Sequence, residues 1–438
     1  MTSLVGIHIT TLNFLLFFLE IFISVNGYVT TPDSAVSTSN RKCRDRLKRC
    51  ESWTCEQLSV LGSVSQRTFA DTHVFLPKAS IIIVFFNEDL YRLQKTLDSI
   101  FANTSSNLIQ EVILVDDCSD TVDTQKLVLP SLQVHVLRNT DREGLIKSRM
   151  IGARVASGDV IVFLDSHVEV DTFWLEPLLA RLVNFRIVRE LNLDCSPGSK
   201  FYSLGKCDPE VRPERLIVSP IIYDLTWPED PIRYEVLGGF TWNLTFRWDL
   251  AEERTQTLLK SLRPVETPAV SGGIFATWRQ SFFEMGGYDE KMDIWGGENI
   301  ELSLRTWMCY GRMEIVPCSR VGHLFRSVHP YSFPQGKSET VVRNLKRVAL
   351  IWLLQQGGEK SDQKPVSQHL ARYYAMSPFA MSISAGDVTD RRELAKMLNC
   401  RSFRWYVNEV YPLLMTEAEE IMVPEFVSYL AELEAKYR

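Results

Sequence analysis

Long apolar runs alternate with stretches of helical periodicity along most of this chain. Ala79-Ser-Ile-Ile-Ile-Val-Phe-Phe86 is nearly all apolar, the pattern of a strand buried on both faces. Asn87 and Glu88 then open a helix to about Phe101, with Leu90, Leu93, Leu97 and Ile100 at helical spacing. Glu111–Val115 and Val134–Leu137 predict two more strands. Gly144 to Ala156 predicts a helix, which Gly158 ends. Val160-Ile-Val-Phe-Leu-Asp-Ser-His167 is the stretch around which the rest is arranged: five apolar residues, then an abrupt polar end. A helix from Thr172 to about Val183 follows. Arg189 to Arg215 reads as a long surface loop, and Leu216–Ile222 resumes as a strand. Gly238-Gly-Phe-Thr-Trp-Asn243 and Ser271-Gly-Gly-Ile-Phe275 read as glycine-paired turns. Such turns either admit a ligand close to the backbone or serve tight packing. Gly296-Gly297 form a hinge-like turn before an amphipathic helix from Glu298 to about Cys309, and a strand around Glu314–Val316 leads to His323. Strands alternating with helices predict an α/β domain of the doubly wound, Rossmann-like kind, its sheet covered by helices.

Chemistry concentrates where the strands end. Open α/β sheets bind ligands just beyond the carboxyl ends of their strands, and Asp117 and Asp165 stand at two such ends. A nucleotide lying across adjacent strand ends would meet both. In strand-like backbone, residues i and i+2 point the same way, so Asp165 and His167 can reach one ion together. A carboxylate oxygen with an imidazole suits Mn²⁺ or Zn²⁺ better than Ca²⁺, and His323 is a third candidate ligand. A solvated loop after a core strand is the alternative reading of Asp165-Ser-His167. Pro330, Pro334 and Gly336 make the stretch after His323 a loop, a candidate lid from which Arg326 can clamp phosphate.

Composition narrows the class. The 438 residues are 45% hydrophobic and 23% charged, as in ordinary globular proteins. A net charge of −6 gives no reason to expect nucleic acid as a partner. Nine cysteines without a CxxC argue against a zinc ribbon or a thioredoxin-type motif. Residues 1–27 carry a mostly apolar segment, Leu4 to Val25, that is either a membrane-spanning signal-anchor or a cleaved signal peptide. Both readings send the body into the secretory pathway, and the sequons at Asn103 and Asn243 fit that route. Residues 28–70 read as a stem, 71–412 as the globular body and 413–438 as a short acidic helix.

With these pieces in order, the chain resembles the polypeptide N-acetylgalactosaminyltransferases, which start mucin-type O-glycosylation. The resemblance runs from about Leu76 to Pro412. It rests on Val115-Asp-Asp117, Arg142-Glu-Gly-Leu145, Leu164-Asp-Ser-His167, Trp174-Leu-Glu-Pro-Leu-Leu-Ala-Arg181, Gly238-Gly-Phe240, Trp295-Gly-Gly-Glu-Asn299, Val321-Gly-His323 and Cys400-Arg-Ser-Phe-Arg-Trp-Tyr-Val-Asn-Glu-Val-Tyr-Pro412. It implies a GT-A fold and retaining transfer of GalNAc from UDP-GalNAc to Ser or Thr. By matching position, Asp165, His167 and His323 would hold Mn²⁺. Asp117, Arg142 and Arg149 would contact the nucleotide. Trp295 would belong to the donor pocket, with Glu298 and Asn299 beside the sugar, and Arg326 and Tyr331 would lie on the loop that closes over the donor. Phe240 and Trp242 would face the acceptor peptide. The resemblance also pairs Cys309 with Cys400, and Cys318 with a stem cysteine. It implies a type II membrane protein with a lumenal body, in the Golgi or another endomembrane.

Departures from the family pattern point away from full activity. No C-terminal β-trefoil lectin domain is expected after Pro412. The stretch 189–215 is largely an insertion relative to the family. Trp352-Leu-Leu-Gln-Gln-Gly357 stands where the family usually has Trp-Met-Asp-Glu-Tyr-Lys, so two carboxylates and a cation are gone. Ser327 replaces a usual Lys, and Phe86 a frequent His. The expectation is an impaired or inactive homologue, a pseudoenzyme that keeps the metal and UDP-sugar site. It would act by binding Ser/Thr-rich polypeptides or active GalNAc-transferases. The alternatives are a working transferase of narrow specificity and a purely structural secretory protein.

Overall fold

The apolar runs of the first half lie side by side. The computed structural model describes residues 47–54, 76–129, 132–190, 210–226, 235–326, 331–354 and 368–417. β1 (Ala79–Phe85) runs parallel to β2 (Ile109–Asp116), β2 runs parallel to β3 (Val134–Arg138), and on its other side β1 runs parallel to β4 (Val160–Asp165). Every residue of β1 is buried, as a strand between two strands and two helical layers must be. Helix α1 (Leu90–Asn103) links β1 to β2 and buries Leu93, Thr96, Leu97 and Ile100, a stripe at helical spacing. Its start corrects the expected one. Asp89 is the cap, accepting the Arg92 backbone N–H at 3.0 Å. Asn87 sits before the helix with a positive φ of 46°, and Glu88 is left free for another task. Helix α2 (Leu145–Val155) packs on β1 and β2 and buries Arg149 among its apolar residues.

The second half adds an antiparallel element. The strands are β5 (Val168–Val170), β6 (Leu216–Asp224), β7 (Val236–Phe240), β8 (Phe246–Leu250), β9 (Val265–Glu266), β10 (Phe275–Trp278) and β11 (Arg312–His323). Among the described residues, nine strands form one sheet in the order β3-β2-β1-β4-β10-β6-β11-β5, with β9 on β11. β10 is antiparallel to both β4 and β6, and β11 is parallel to β6. Two reversals restore the direction, so β11 ends at the same sheet edge as β2 and β4. His323 therefore arrives beside the strand-end acids. β7 and β8 pair apart from this sheet. Gly238 and Gly239 lie within β7 rather than in a turn. A Cβ on Gly239 would fall 1.9 Å from Asp249 Oδ2 and 2.3 Å from the Tyr411 hydroxyl, so close packing is what requires glycine there.

Helices α3 (Leu175–Glu190), α4 (Glu253–Lys260), α5 (Arg279–Glu284), α6 (Glu298–Met308) and α7 (Lys337–Val348) follow, the last continuing into a π-helical turn, Ala349–Leu353. Then come α8 (Gln368–Met376), α9 (Thr389–Met397) and α10 (Phe403–Glu409). The core beneath them carries fully buried ion pairs, Arg305 with Glu301 and Arg347 with Asp289, each extended by backbone carbonyls. Trp352 is fully buried and donates its indole N–H to Glu301 at 3.3 Å. Disulfides join Cys309 to Cys400, Cα atoms 4.2 Å apart, and Cys50 to Cys318, 5.5 Å apart. Cys118 is a free thiol. Among the described residues no helix is long and apolar enough to cross a membrane. The N-terminal apolar segment, most of the stem, the bulk of the 189–215 insertion, Ser327, and Gln355 to Gly358 lie outside the described residues.

Candidate functional site

Two strand-end carboxylates of the same chemical type are treated differently by the fold. Asp117 is fully buried. It accepts hydrogen bonds from Arg142 Nε (2.9 Å), Asn139 Nδ2 (3.0 Å), Ser148 Oγ (3.1 Å) and the backbone N–H groups of Glu143 (2.8 Å) and Gly144 (2.9 Å). A carboxylate offers about four lone-pair sites, so Asp117 is filled by the chain itself. It builds the loop before α2 rather than offering an oxygen to a nucleotide.

What it builds is a cation. The Arg142 guanidinium carbon lies 3.2 Å from the centroid of the Phe86 ring and 5.4 Å from that of Tyr331. The two rings are 14° from parallel, with centroids 6.5 Å apart. Arg142 Nη1 and Nη2 are buried and have no hydrogen-bond partner among the described residues. Buried donors without acceptors are rare in folded proteins, and an unfilled guanidinium fork suits phosphate oxygens. Burial pushes the Tyr331 phenol pKa up, and the nearby Asp165 charge pushes it further.

Among the described residues, Asp165 pairs with one guanidinium and one imidazole. Its Oδ1 is 3.1 Å from Arg149 Nη2, and its Oδ2 is 3.2 Å from His323 Nε2. Burial alone would raise its pKa, but the His323 hydrogen bond and the Arg149 charge hold it well below the usual carboxylate range. Arg149 also reaches Glu298 Oε1 at 3.3 Å, and Glu298 Oε2 accepts the Gly296 backbone N–H at 2.9 Å. Arg149 is thus a buried bridge between Asp165 and the start of α6. Gly273 makes room for it, because a Cβ there would fall 1.7 Å from Arg149 Nη2 and 3.0 Å from Asp165 Oδ1.

The two histidines meet because β11 pairs with β5, placing His323 opposite Val168. The rings of His167 and His323 are 4.8 Å apart, centroid to centroid, at 60°. Thr96 Oγ1 on α1 fixes the turn by donating to Val168 O at 2.8 Å. One carboxylate and two imidazoles converging at a strand edge are a donor set that fits Mn²⁺. No three His, Cys, Asp or Glu side chains among the described residues already close on a single point, because Asp165 is taken up by Arg149 and His323.

The remaining candidates divide. Trp295 is half-buried against the core, with Lys337 Nζ 5.7 Å from its ring centre. Asn299 Nδ2 donates to Val270 O at 3.1 Å. Arg326 reaches the Glu88 carboxylate. Phe240 and Trp242, expected to face an acceptor, are turned inward. Phe240 is fully buried and stacks on Tyr406 with centroids 6.0 Å apart. Trp242 donates its indole N–H to Leu414 O at 2.9 Å and lies parallel to His369, 5.8 Å away. The C-terminal helices cover them because the aromatic faces of α8 and α10 bury more apolar surface there than solvent would allow.

Sequence reasoning missed Glu88 as a site residue. It stands one position beyond Asn87, at the same edge as Asp117 and Asp165, so three adjacent parallel strands each deliver an acid. That was the available signal, hidden by a plausible helix start. A cavity of about 400 Å³ opens beside it, lined by Asn87, Asp89, Thr121, Asp123 and Lys126. A larger one, about 860 Å³, is lined by Asp159, Arg186, Glu210, Trp278 and Tyr310. It lies at the other end of β4 and holds none of the expected site residues.

Comparisons with known proteins agree with this geometry. Residues 80–188 match the family model for glycosyl transferase family 2, and residues 256–330 match the model for the N-terminal domain of galactosyltransferase. The chain is 41% identical over 353 residues to polypeptide N-acetylgalactosaminyltransferase 16 of Homo sapiens, covering 79% of this chain and 56% of that protein. It is 40% identical over 345 residues to polypeptide N-acetylgalactosaminyltransferase 14 of Homo sapiens, covering 78% and 56%. The chain thus spans little more than half the length of these relatives. A crystal structure of GalNAc-T7 with UDP, GalNAc and Mn²⁺ superposes with a TM-score of 0.61 at 28% identity, covering 80% of this chain and 59% of that one. The fold is GT-A.

Proposed function

The matched part of this chain belongs to the polypeptide N-acetylgalactosaminyltransferase family, and from that premise we propose that the protein binds UDP-GalNAc together with Mn²⁺ and acts in O-glycosylation by binding, as an impaired transferase. The observation that carries the reading is Arg142. Its two buried, unpartnered guanidinium nitrogens sit between Phe86 and Tyr331 at the edge where Asp165, His167 and His323 converge. A diphosphate would supply the missing acceptors, and Mn²⁺ on Asp165, His167 and His323 would neutralise it as a Lewis acid. Glu298, held by Arg149 and the Gly296 N–H, would orient the sugar end together with Asn299 and Trp295. The impaired side of the proposal is supported by the acceptor region. Phe240 and Trp242 are buried beneath the C-terminal helices and offer no aromatic platform to a peptide. The replaced residues after Trp352 and the 189–215 insertion point the same way. The body is proposed to be lumenal in the secretory pathway, most simply in the Golgi. The Cys50–Cys318 and Cys309–Cys400 bonds support an oxidising compartment.

The test uses the full chain, UDP-GalNAc, Mn²⁺ and a panel of Thr/Ser-rich peptides, with human transferase 16 in parallel. Expected are saturable UDP binding that needs Mn²⁺ and disappears in Asp165→Ala, and transfer at least about 100-fold below the relative, as mispositioned reactants produce. Transfer at the relative's rate would replace the reading with a working enzyme of narrow specificity. Absence of UDP binding would leave only a structural role.

A further inference from the structure

One carboxylate ties three chain segments to this corner. Glu88, from the turn after β1, is 5% exposed. Its Oε2 accepts the Ser166 hydroxyl at 2.7 Å and lies 3.1 Å from His167 Nδ1. Its Oε1 accepts the Asp89 backbone N–H at 2.9 Å and the Arg326 guanidinium. We propose that Glu88 is the positioning residue of the corner: it fixes the His167 imidazole with the hydrogen on Nδ1 and the lone pair on Nε2, and holds Arg326 beside it. The proposal rests on the metal-binding reading above and assigns the group that prepares one ligand for the ion.

The donors and acceptors around Glu88 decide the tautomer. Glu88 accepts from the Ser166 hydroxyl, the Asp89 backbone N–H and the Arg326 guanidinium, and donates to none of them. A carboxylate paired with a guanidinium in this way serves as an acceptor only. Ser166 Oγ, 3.3 Å from the same nitrogen, donates its own hydrogen to Glu88. Both neighbours of Nδ1 can only accept, so Nδ1 carries a hydrogen and Nε2 is the nitrogen that would offer its lone pair to an ion. Metal-ligating histidines are oriented in this way by a carboxylate behind them. His323 lacks such a partner: its Nδ1 is buried and has none among the described residues, while its Nε2 faces Asp165. His167 is thus the prepared ligand, and His323 must give up its contact with Asp165 to bind. Arg326 hangs from the same carboxylate, so the cation on the stretch after β11 is placed by the group that sets the ligand.

The experiment is run on the full chain with ¹⁵N-labelled histidine, in wild type, Glu88→Gln and Glu88→Ala. The His167 tautomer is read from two-bond ¹H–¹⁵N correlations, with the signal assigned by its absence in His167→Gln. Mn²⁺ affinity in the presence of UDP is read from the free-ion electron paramagnetic resonance signal. Wild type should show Nδ1–H on His167. Glu88→Ala should lose that tautomer and bind Mn²⁺ about 10- to 100-fold more weakly, the usual cost of removing such a partner. Glu88→Gln, which keeps an acceptor oxygen and is the milder change for folding, should restore part of both. Nε2–H on His167 in wild type overturns the proposal. So do Mn²⁺ affinities within twofold of wild type in both variants. Should wild type itself bind no Mn²⁺, the proposed function fails separately. The tautomer comparison between wild type and Glu88→Ala then decides the positioning role, a shift supporting it and no shift overturning it.

Discussion

The edge around Asp165 and the region around Trp242 were expected to hold the two halves of one reaction, and the fold has finished them to different degrees. At the donor edge, Asp165 meets the Arg149 guanidinium and the His323 imidazole, and Arg142 keeps two buried nitrogens without acceptors among the described residues. Hydrogen-bonding capacity there is left unspent by the described residues. The Trp242 side chain, by contrast, has all its own contacts filled, although His369 Nδ1 and Arg372 Nε beside it are buried without a partner among the described residues. The indole N–H is spent on Leu414 O, one ring face lies against His369, the Arg372 guanidinium is 5.2 Å away, and Phe403 packs edge-on. A residue kept by the family pattern is therefore no guarantee of a surface kept for a ligand. What decides is whether the chain has already used the atoms that would make the contact.

The strongest way to test this contrast is to empty the finished side. Trp242→Ala removes a side chain that is 2% exposed and should cost about 3–5 kcal/mol, the range for large aromatic truncations, read from urea midpoints. UDP binding should survive where the variant stays folded. A loss under 1 kcal/mol would mean that Trp242 is only lightly covered. Gly273→Ala strikes the unfinished side. The new methyl would collide with Arg149 and force it from Asp165, at about 1–3 kcal/mol, as overpacking typically costs. Its signature is altered Mn²⁺-dependent UDP affinity, and unchanged affinity would break the link between that ion pair and the site.

The smallest effect is a dependence on pH. Burial, with the charges of Arg372 and Arg404, lowers the His369 pKa from 6.5 to about 4. Between those values the unfolded chain binds the proton and the folded one resists it. Stability is therefore complete above pH 6.5 and falls as pH drops toward 4. For this half-buried ring the loss is on the order of 1 kcal/mol. His369→Gln should flatten that slope in urea midpoints taken from pH 7.5 to 4. Glu88 and Asp165, also held low in the folded chain, add their own loss only toward the acid end, as their unfolded forms take up protons near 4.5 and 3.8, so the comparison with the variant isolates His369. An unchanged slope in the variant would show that His369 does not titrate within the packed region.

Much of the fold was legible because strands buried on both faces are apolar runs. β1, β2, β3 and β4 lie within two residues of the expected bounds. β5 and β10, three and four residues long, leave too short a pattern, and β10 makes the sheet mixed. Asp117, Asp165 and His323 were legible as strand ends. What those ends do was not. Asp117 is filled by backbone and side chains from the loop that follows β3, and Arg149 is a buried bridge because α2 turns it toward β4. Glu88 was hidden by an ordinary local explanation, the opening of a helix. Burial of Phe240 and Trp242 depends on residues more than 120 positions later, and no local pattern carries that.

The Cys50–Cys318 bond spans 268 positions and so sets a timetable for biosynthesis. Chains are made at about 5–20 residues per second, so Cys50 waits roughly 13 to 54 seconds for its partner to be made. During that interval Cys43 and Cys55 are the thiols nearest to it in sequence. Correct pairing therefore falls to the stage when β11 joins the sheet, and the bond records that the end carrying His323 has been put in place.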